Sequence, residues 1–448
     1  MKYLSQLSIQ FFRGILAEQT IFLGKPTGTP GSGLTILVGP NNAGKSTIVE
    51  ALRLVVAPGD LLDKGERHRD YPLRISIRDT ANGYREITNP GLGARLVATG
   101  TAHPSFNTFR FIPSRRPWAH RTGGHLMLSG DYWTQRTSYS RQEDLGLVSR
   151  LNSLPPEEKV AFQRELQELV PQLSNWRIEY YDGSTYLEYS TYNGTTHAAN
   201  LLGDGVASLF RIVLGLYDPE ESFVVIDEPE LSLHPQAQKR LARYLSSKAQ
   251  DRQIVICTHC PHFINWNDLR AGATIYRLNQ RADGINVHRL TDRTLSFLRK
   301  LKDDWQKPQL LDAVSKEIFF TDEVLFLEGQ EDVGLIARFM EVEHLPPIQL
   351  FGYGAGGSKN ILAFLAMASD LDIRNAAIFD GTSEDEFELA KATFADANLT
   401  LLPTADIRDK PERQLQGLFD QKGIIKPQFR ETLKDILLKI RTHFDCSL

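Results

Sequence analysis

Gly39-Pro40-Asn41-Asn42-Ala43-Gly44-Lys45-Ser46 begins at the end of a strand-like apolar run, 34–39 (LTILVG). It leads into 46–56 (STIVEALRLVV), where apolar residues recur at helical spacing. The octet fits G-x-x-x-x-G-K-[ST] at every defined position, in the strand–loop–helix context that makes the match meaningful. Gly39 and Gly44 let backbone N–H groups approach phosphate oxygens, and the helix N-terminus adds positive potential. Lys45 is expected to reach the β- and γ-phosphates of ATP and Ser46 to hold Mg²⁺, with Asn41, Asn42 and Thr47 completing the loop.

The acidic partner of such a loop lies at 223–228 (FVVIDE). Four apolar residues predict a buried strand, with Asp227 at its end to complete the Mg²⁺ shell and Glu228 to orient or deprotonate the attacking water. A further strand, 253–259 (QIVICTH), ends on His259, in reach of a γ-phosphate. Around these lie strands at 5–15, an irregular stretch with short strands at 59–135, and a helix at 155–173. Alternating aromatic and polar residues at 176–200, with D-G and N-G turns, predict a β-meander, and 235–250 predicts a helix.

The strand–helix alternation restarts after a basic helical connector at 293–320. Strands at 324–329 (VLFLEG), 348–354 (IQLFGYG), 376–381 (AAIFDG) and 399–403 (LTLLP) alternate with helices at 331–343, 358–370 and 384–396, so the class is α/β with a second, mainly parallel sheet. Glu328 and Asp380 end two of these strands, and parallel topology brings both tips to one sheet edge. Converging carboxylates are costly unless hard cations such as Mg²⁺ or Mn²⁺ neutralise them. The chemistry that fits is two-metal phosphodiester hydrolysis.

These motifs resemble an ABC-type ATPase head of the RecF/SMC-like kind with a β-meander and helical insertion (1–292), followed by a TOPRIM domain (321–448). LSIQFFRGI resembles the group's opening strand, DEPELSLHP (227–235) its Walker B and D-loop, and CTHCPHFI (257–264) its His switch. LGDGVAS (202–208) stands where the signature loop belongs, with Gly203 and Gly205 for LSGG. Such heads share ATP between two copies, so the resemblance implies a homodimer through the heads or a higher oligomer. ATPase followed by TOPRIM is the OLD (overcoming lysogenization defect) architecture. It implies ATP-regulated DNA cleavage in anti-phage defence, and a reverse transcriptase with its RNA–DNA product as partner if the chain is a retron effector. By the same resemblance Glu328, Asp332, Asp380, Asp406 and Asp409 are metal ligands, with the last two in LPTADIRDK (402–410), and one of Lys410, Lys422 or Lys426 is catalytic. The family's D-x-D reads Asp380-Gly381-Thr382 here, leaving Glu384, Asp385 or Glu386 as the replacement carboxylate, with Glu384 favoured because the helix starts there. Thr382 equally supports a second reading, an ATP-dependent nucleic-acid sensor or scaffold with a degenerate TOPRIM domain.

The 448 residues are 41% apolar and 24% charged, which excludes a disordered or collagen-like chain. The net charge of −4 divides into +5 over 1–320 and −9 over 321–448, the latter from 22 acidic and 13 basic residues. In the basic part, 110–121 (RFIPSRRPWAHR) interleaves Arg110, Arg115, Arg116 and Arg121 with Trp118 and His120, a composition suited to DNA phosphates and bases; Lys64, Arg67 and Arg69 form a second cluster. Three cysteines are too few for a disulfide framework or a zinc site, so Cys257 and Cys260 are expected to pack in the core. No apolar run of about 20 residues and no signal peptide are expected, which points to a cytoplasmic protein without membrane contact.

Overall fold

The structure, a computed structural model, describes residues 3–56, 71–89, 95–101, 109–113, 151–181, 184–198, 204–217, 222–303, 314–411 and 416–445. The chain divides into two compact units, Met1–Leu37 with Lys45–Thr274 and Val38–Gly44 with Ile275–Leu448.

In the first unit β1 (Leu4–Gln10), β2 (Gln19–Phe22) and β3 (Leu34–Val38) precede the helix Lys45–Val56. β4 (Arg74–Asp79), β5 (Tyr84–Thr88), β6 (Val97–Gly100) and β7 (Phe109–Ile112) follow, within the stretch expected to be irregular with short strands. β2-β1-β4-β5-β6 form one antiparallel sheet. Its β4–β5 turn exists because Asp79 Oδ1 accepts the Ala81 and Gly83 N–H groups, both at 2.7 Å, while Asn82 takes φ 64°. The expected meander is β8 (Leu173–Tyr181), β9 (Ser184–Thr191) and β10 (Thr196–Ala198), antiparallel in that order, preceded by the helix Pro156–Leu169.

β3, β12 (Gln253–Cys257), β11 (Phe223–Asp227) and β7 lie side by side and parallel. Every residue of LTILV and QIVIC is buried, as are the first four of FVVID, because helices cover both faces of such a sheet. Each buried Val, Leu or Ile side chain there contributes about 1.5–3 kcal/mol. The helices Asp204–Tyr217 and Pro235–Lys248 belong to this unit. Cys257 and Cys260 are buried, in keeping with core packing.

In the second unit β13 (Thr274–Arg281) and β14 (Gly284–Arg289) form an antiparallel hairpin. A helix, Asp292–Asp303, and a 3₁₀ segment, Ser315–Phe320, stand in the region expected to be a helical connector. β15 (Glu323–Phe326), β16 (Arg374–Phe379) and β17 (Asn398–Leu401) make a parallel sheet, with helices Gln330–Val342, Ser358–Asp370 and Glu384–Thr393 between them. IQLFGYG, expected as a strand, is reduced to a single bridge between Leu325 and Leu350. Gly352 and Gly354 turn left-handed directly after it, at φ 44° and 83°, and end the pairing. β18 (Asp406–Arg408) and β19 (Gly417–Phe419) form a short parallel pair. The helix Pro427–Asp445 buries Leu433, Leu437, Ile440 and Phe444 in a core shared with Leu325, Ile378 and Leu402. Among the described residues no helix is long and apolar enough to cross a membrane.

Candidate functional site

The phosphate loop turns on three left-handed residues, Gly39 at φ 136°, Asn42 at 62° and Gly44 at 99°, which bend the chain from β3 into the helix that starts at Lys45. Asn41, Asn42 and Ser46 are exposed, whereas Lys45 and Thr47 are buried, each at 7% exposure. Burial lowers the Lys45 ammonium pKa, and the negative charges of Glu228, Asp227 and Glu230 pull it back. A buried cation thus faces a set of carboxylates beside the loop.

Asp227 pairs in register with Cys257 on the neighbouring strand, and the Glu228 N–H donates to the Cys257 carbonyl at 2.8 Å. Glu228 sits at φ 47°, a sparsely populated conformation for a side-chain-bearing residue that persists only where its surroundings hold it. His259 follows β12. Its imidazole pKa is lowered by burial and by the Lys45 charge, against Glu228, so near neutral pH it is an uncharged ring able to donate or accept. Glu230, absent from the sequence-based assignment, accepts the His259 N–H at 2.6 Å, and its carboxyl pKa is raised by burial. The second Glu of D-E-P-E carried the signal, but its partner lies in the loop after another strand. Gly205 opens the helix Asp204–Tyr217 and packs its Cα against the Ser232 carbonyl, where a Cβ would come within 2.5 Å. Gly203 lies outside the described residues, as do Lys64, Arg67, Arg69, Arg115, Arg116, Trp118, His120 and Arg121.

The second cluster gathers at the carboxyl edge of β15 and β16. Glu328 Oε1 accepts the Asp380 N–H at 2.9 Å, so the two strand tips meet, as parallel pairing requires. Asp332, in the first turn of the helix Gln330–Val342, accepts the Gly329 N–H at 2.8 Å. Burial and the charges of Asp332, Glu328 and Asp406 push the Asp380 pKa up to about 8, against Lys410. Asp332 is raised to about 6 by burial and by Glu328, Asp406 and Glu331, against its bond from Gly329. Lys410 pairs with Asp406 at 2.6 Å. Asp409 is engaged elsewhere, accepting Lys426 Nζ at 2.9 Å and the Gly417 N–H at 2.8 Å, which ties β18 to β19. Glu384 is exposed in the first turn of its helix, and the exposed Thr382 donates to the Ala405 carbonyl at 3.3 Å. Gly381 is required because a Cβ would meet the Thr404 carbonyl at 2.5 Å.

Glu328, Asp332, Asp380 and Asp406 therefore share one electrostatic neighbourhood. Among the described residues no three His, Cys, Asp or Glu side chains converge closely enough to grip an ion in these rotamers. The donor set is all carboxylate, which suits a hard divalent cation, and such a cation would relieve the repulsion that keeps Asp380 and Asp332 protonated above the usual range.

Known proteins share parts of this chain. A family model described as "AAA domain, putative AbiEii toxin, Type IV TA system" matches residues 132–265, and one described as "AAA domain" matches residues 6–91. The OLD nuclease of Thermus scotoductus is 28% identical over 189 residues, 40% of this chain and 35% of that protein. Endonuclease GajA of Bacillus cereus is 27% identical over 173 residues, 32% of this chain and 25% of that protein. The chain thus spans well under half the length of either relative. The solved SMC head domain of Pyrococcus furiosus covers 67% of this chain and all of its own, at 13% identity and TM-score 0.45, too loose a likeness to add to the strand order above. The comparisons support an α/β chain carrying AAA-type ATPase segments and similar, over part of its length, to OLD-type nucleases.

Proposed function

We propose that the chain is an ATP-regulated, divalent-metal-dependent DNA endonuclease of OLD type that acts in anti-phage defence. The observation that carries the reading is the carboxylate cluster at the tips of β15 and β16, in a chain that also holds Lys45 among Asp227, Glu228 and Glu230. Its similarity to the OLD nuclease and to GajA supports the same assignment.

At the nucleotide site the backbone of 39–44 and Lys45 would hold the phosphates of ATP, Ser46 and Asp227 would hold Mg²⁺, Glu228 would orient water, and neutral His259 would serve as a hydrogen-bonding group for the γ-phosphate. At the second site Glu328, Asp332, Asp380 and Asp406 would hold Mg²⁺ or Mn²⁺, which when bound supplies Lewis-acid polarisation of the scissile phosphate and an activated water. Lys410, paired with Asp406, is the best-placed of the three lysines to meet a phosphate oxygen at that site. Pairing of ATPase heads makes a homodimer the working assembly. Reverse transcriptase with its RNA–DNA product is the partner of the retron version of this reading.

A second reading, an ATP-dependent sensor or scaffold with a degenerate nuclease domain, rests on Thr382, which is turned to the Ala405 carbonyl instead of supplying a second carboxylate. Purified chain incubated with DNA and Mg²⁺ or Mn²⁺ separates the two. Cutting that disappears in Glu328→Ala while ATP binding persists supports the nuclease. Phage protection that survives Glu328→Ala and Asp380→Ala but not Lys45→Ala supports the scaffold.

A further inference from the structure

β13 carries Arg277, Asn279 and Arg281 at alternate positions, hence on one face of the strand. All three reach the segments that start β15 and β16. Arg277 is completely buried, with 0% side-chain exposure. Its Nη2 donates to the Thr321 carbonyl and to Asp322 Oδ1, each at 2.7 Å, and its Nη1 to the Leu371 carbonyl at 3.0 Å. Asn279 donates to Asp372 Oδ2, and Arg281 Nε donates to the same oxygen at 3.0 Å. Asp322 directly precedes β15, and Asp372 stands two residues before β16. The starts of these strands are paired, Glu323 opposite Arg374, and their other ends lead to Glu328 and Asp380.

The same hairpin backs the phosphate loop. A Cβ on Gly39 would come within 2.3 Å of the Leu278 carbonyl, and one on Gly44 within 2.6 Å of the Ile285 side chain on β14. Residues 277 and 278 thus face two ways: the side chain of one fixes the acidic sheet, and the carbonyl of the other touches the loop that would hold phosphates.

We propose that Arg277 is a positioning residue that fixes the register of β15 against β16 and links it, through the hairpin, to the conformation of the 39–44 loop. The inference rests on the ATPase-nuclease reading and adds the route by which nucleotide alters the carboxylate site. A guanidinium is needed because only its planar fork serves two segments at once. The strands act as short rigid rods, about 13 Å for β15 and about 20 Å for β16, so a shift at their starts moves the carboxylates at their tips.

The test measures Mn²⁺ affinity by electron paramagnetic resonance, with and without a non-hydrolysable ATP analogue, taking the Mn²⁺ lost in Asp380→Asn as the C-terminal site. Wild type is expected to change its affinity at that site roughly fivefold or more on adding nucleotide. Arg277→Lys is expected to lose most of that change while binding the analogue normally. Arg441→Gln, which breaks a fork onto Glu323 of the same strand start, is expected to keep it. Should Arg277→Lys fail to fold, Asp322→Asn, at a carboxylate 55% exposed, is expected to reduce the change in the same direction. An unaltered nucleotide effect in both Arg277→Lys and Asp322→Asn overturns the inference and leaves the nuclease reading standing. Wild type without Mn²⁺ at Asp380 overturns the nuclease reading, and the inference with it.

Discussion

The two sites are opposite electrostatic problems. Near the phosphate loop a buried ammonium, Lys45, lies in the field of Asp227, Glu228 and Glu230, so a cation stands among the carboxylates there. At the tips of β15 and β16 the carboxylates of Glu328, Asp332, Asp380 and Asp406 gather around Lys410, which pairs with Asp406, and two of them are pushed well above the ordinary range. The first arrangement has a cation ready for phosphate, and the second has anions ready for a metal. The charge split between the two parts of the sequence, +5 and −9, has the same sense.

The largest effect expected from this contrast is at the acidic site. Asp380→Ala should reduce DNA cutting by about 100-fold or more, since even groups that only support a metal ligand are worth 10–100-fold; product formation at saturating Mn²⁺ checks it. Lys45→Ala should weaken ATP binding about 10–100-fold, the worth of a charged hydrogen bond of about 1.5–3 kcal/mol, measured with a fluorescent ATP analogue. Equal damage to both activities by either change would break the comparison.

The next effect is pH dependence without metal. Asp380 and Asp332 bind their protons more tightly folded than unfolded, so stability is greatest below the ordinary carboxylate pKa and falls as pH rises through about 6 and about 8. The thermal midpoint should therefore drop between pH 5 and pH 9 by about 2–4 °C for each kcal/mol involved, and Mg²⁺ should flatten the slope. Asp380→Asn should flatten it too. A smaller effect belongs to Glu230. Glu230→Ala strands the His259 N–H and should cost about 1–3 kcal/mol of stability, read from denaturant unfolding, whereas Glu230→Gln should recover most of it. The smallest is Thr382→Asp, an exposed change that should alter cutting by about twofold or less. A large gain would favour the scaffold reading of the natural Thr382.

What could be read from the sequence was what is local. Gly39 to Ser46, FVVIDE and QIVICTH declare their strands and turns within a few residues, because buried parallel strands need unbroken apolar runs. Glu328 and Asp380 were legible as strand ends, and parallel pairing alone predicts that they meet. Glu230 was not, since its role is to accept a hydrogen bond from a backbone group in the loop after β12. Nor was the alliance of β13 with the C-terminal sheet, which is made by Arg277, Asn279 and Arg281 across long sequence separations. The helix Pro427–Asp445 left a signal that was missed, the 4-3-4 spacing of Leu433, Leu437, Ile440 and Phe444. The strand expected at IQLFGYG failed for the reverse reason, because Gly352 and Gly354 outweigh its apolar residues.

The most direct test of the contrast is a calorimetric titration of Mn²⁺ into wild type and Asp380→Asn, with the same samples assayed on supercoiled plasmid. The account predicts that wild type binds the metal at this site and cuts, while Asp380→Asn does neither and binds ATP as tightly as before. Asp380→Asn protein that still cuts, or wild type that neither binds the metal there nor cuts in the presence of its partners, would contradict it.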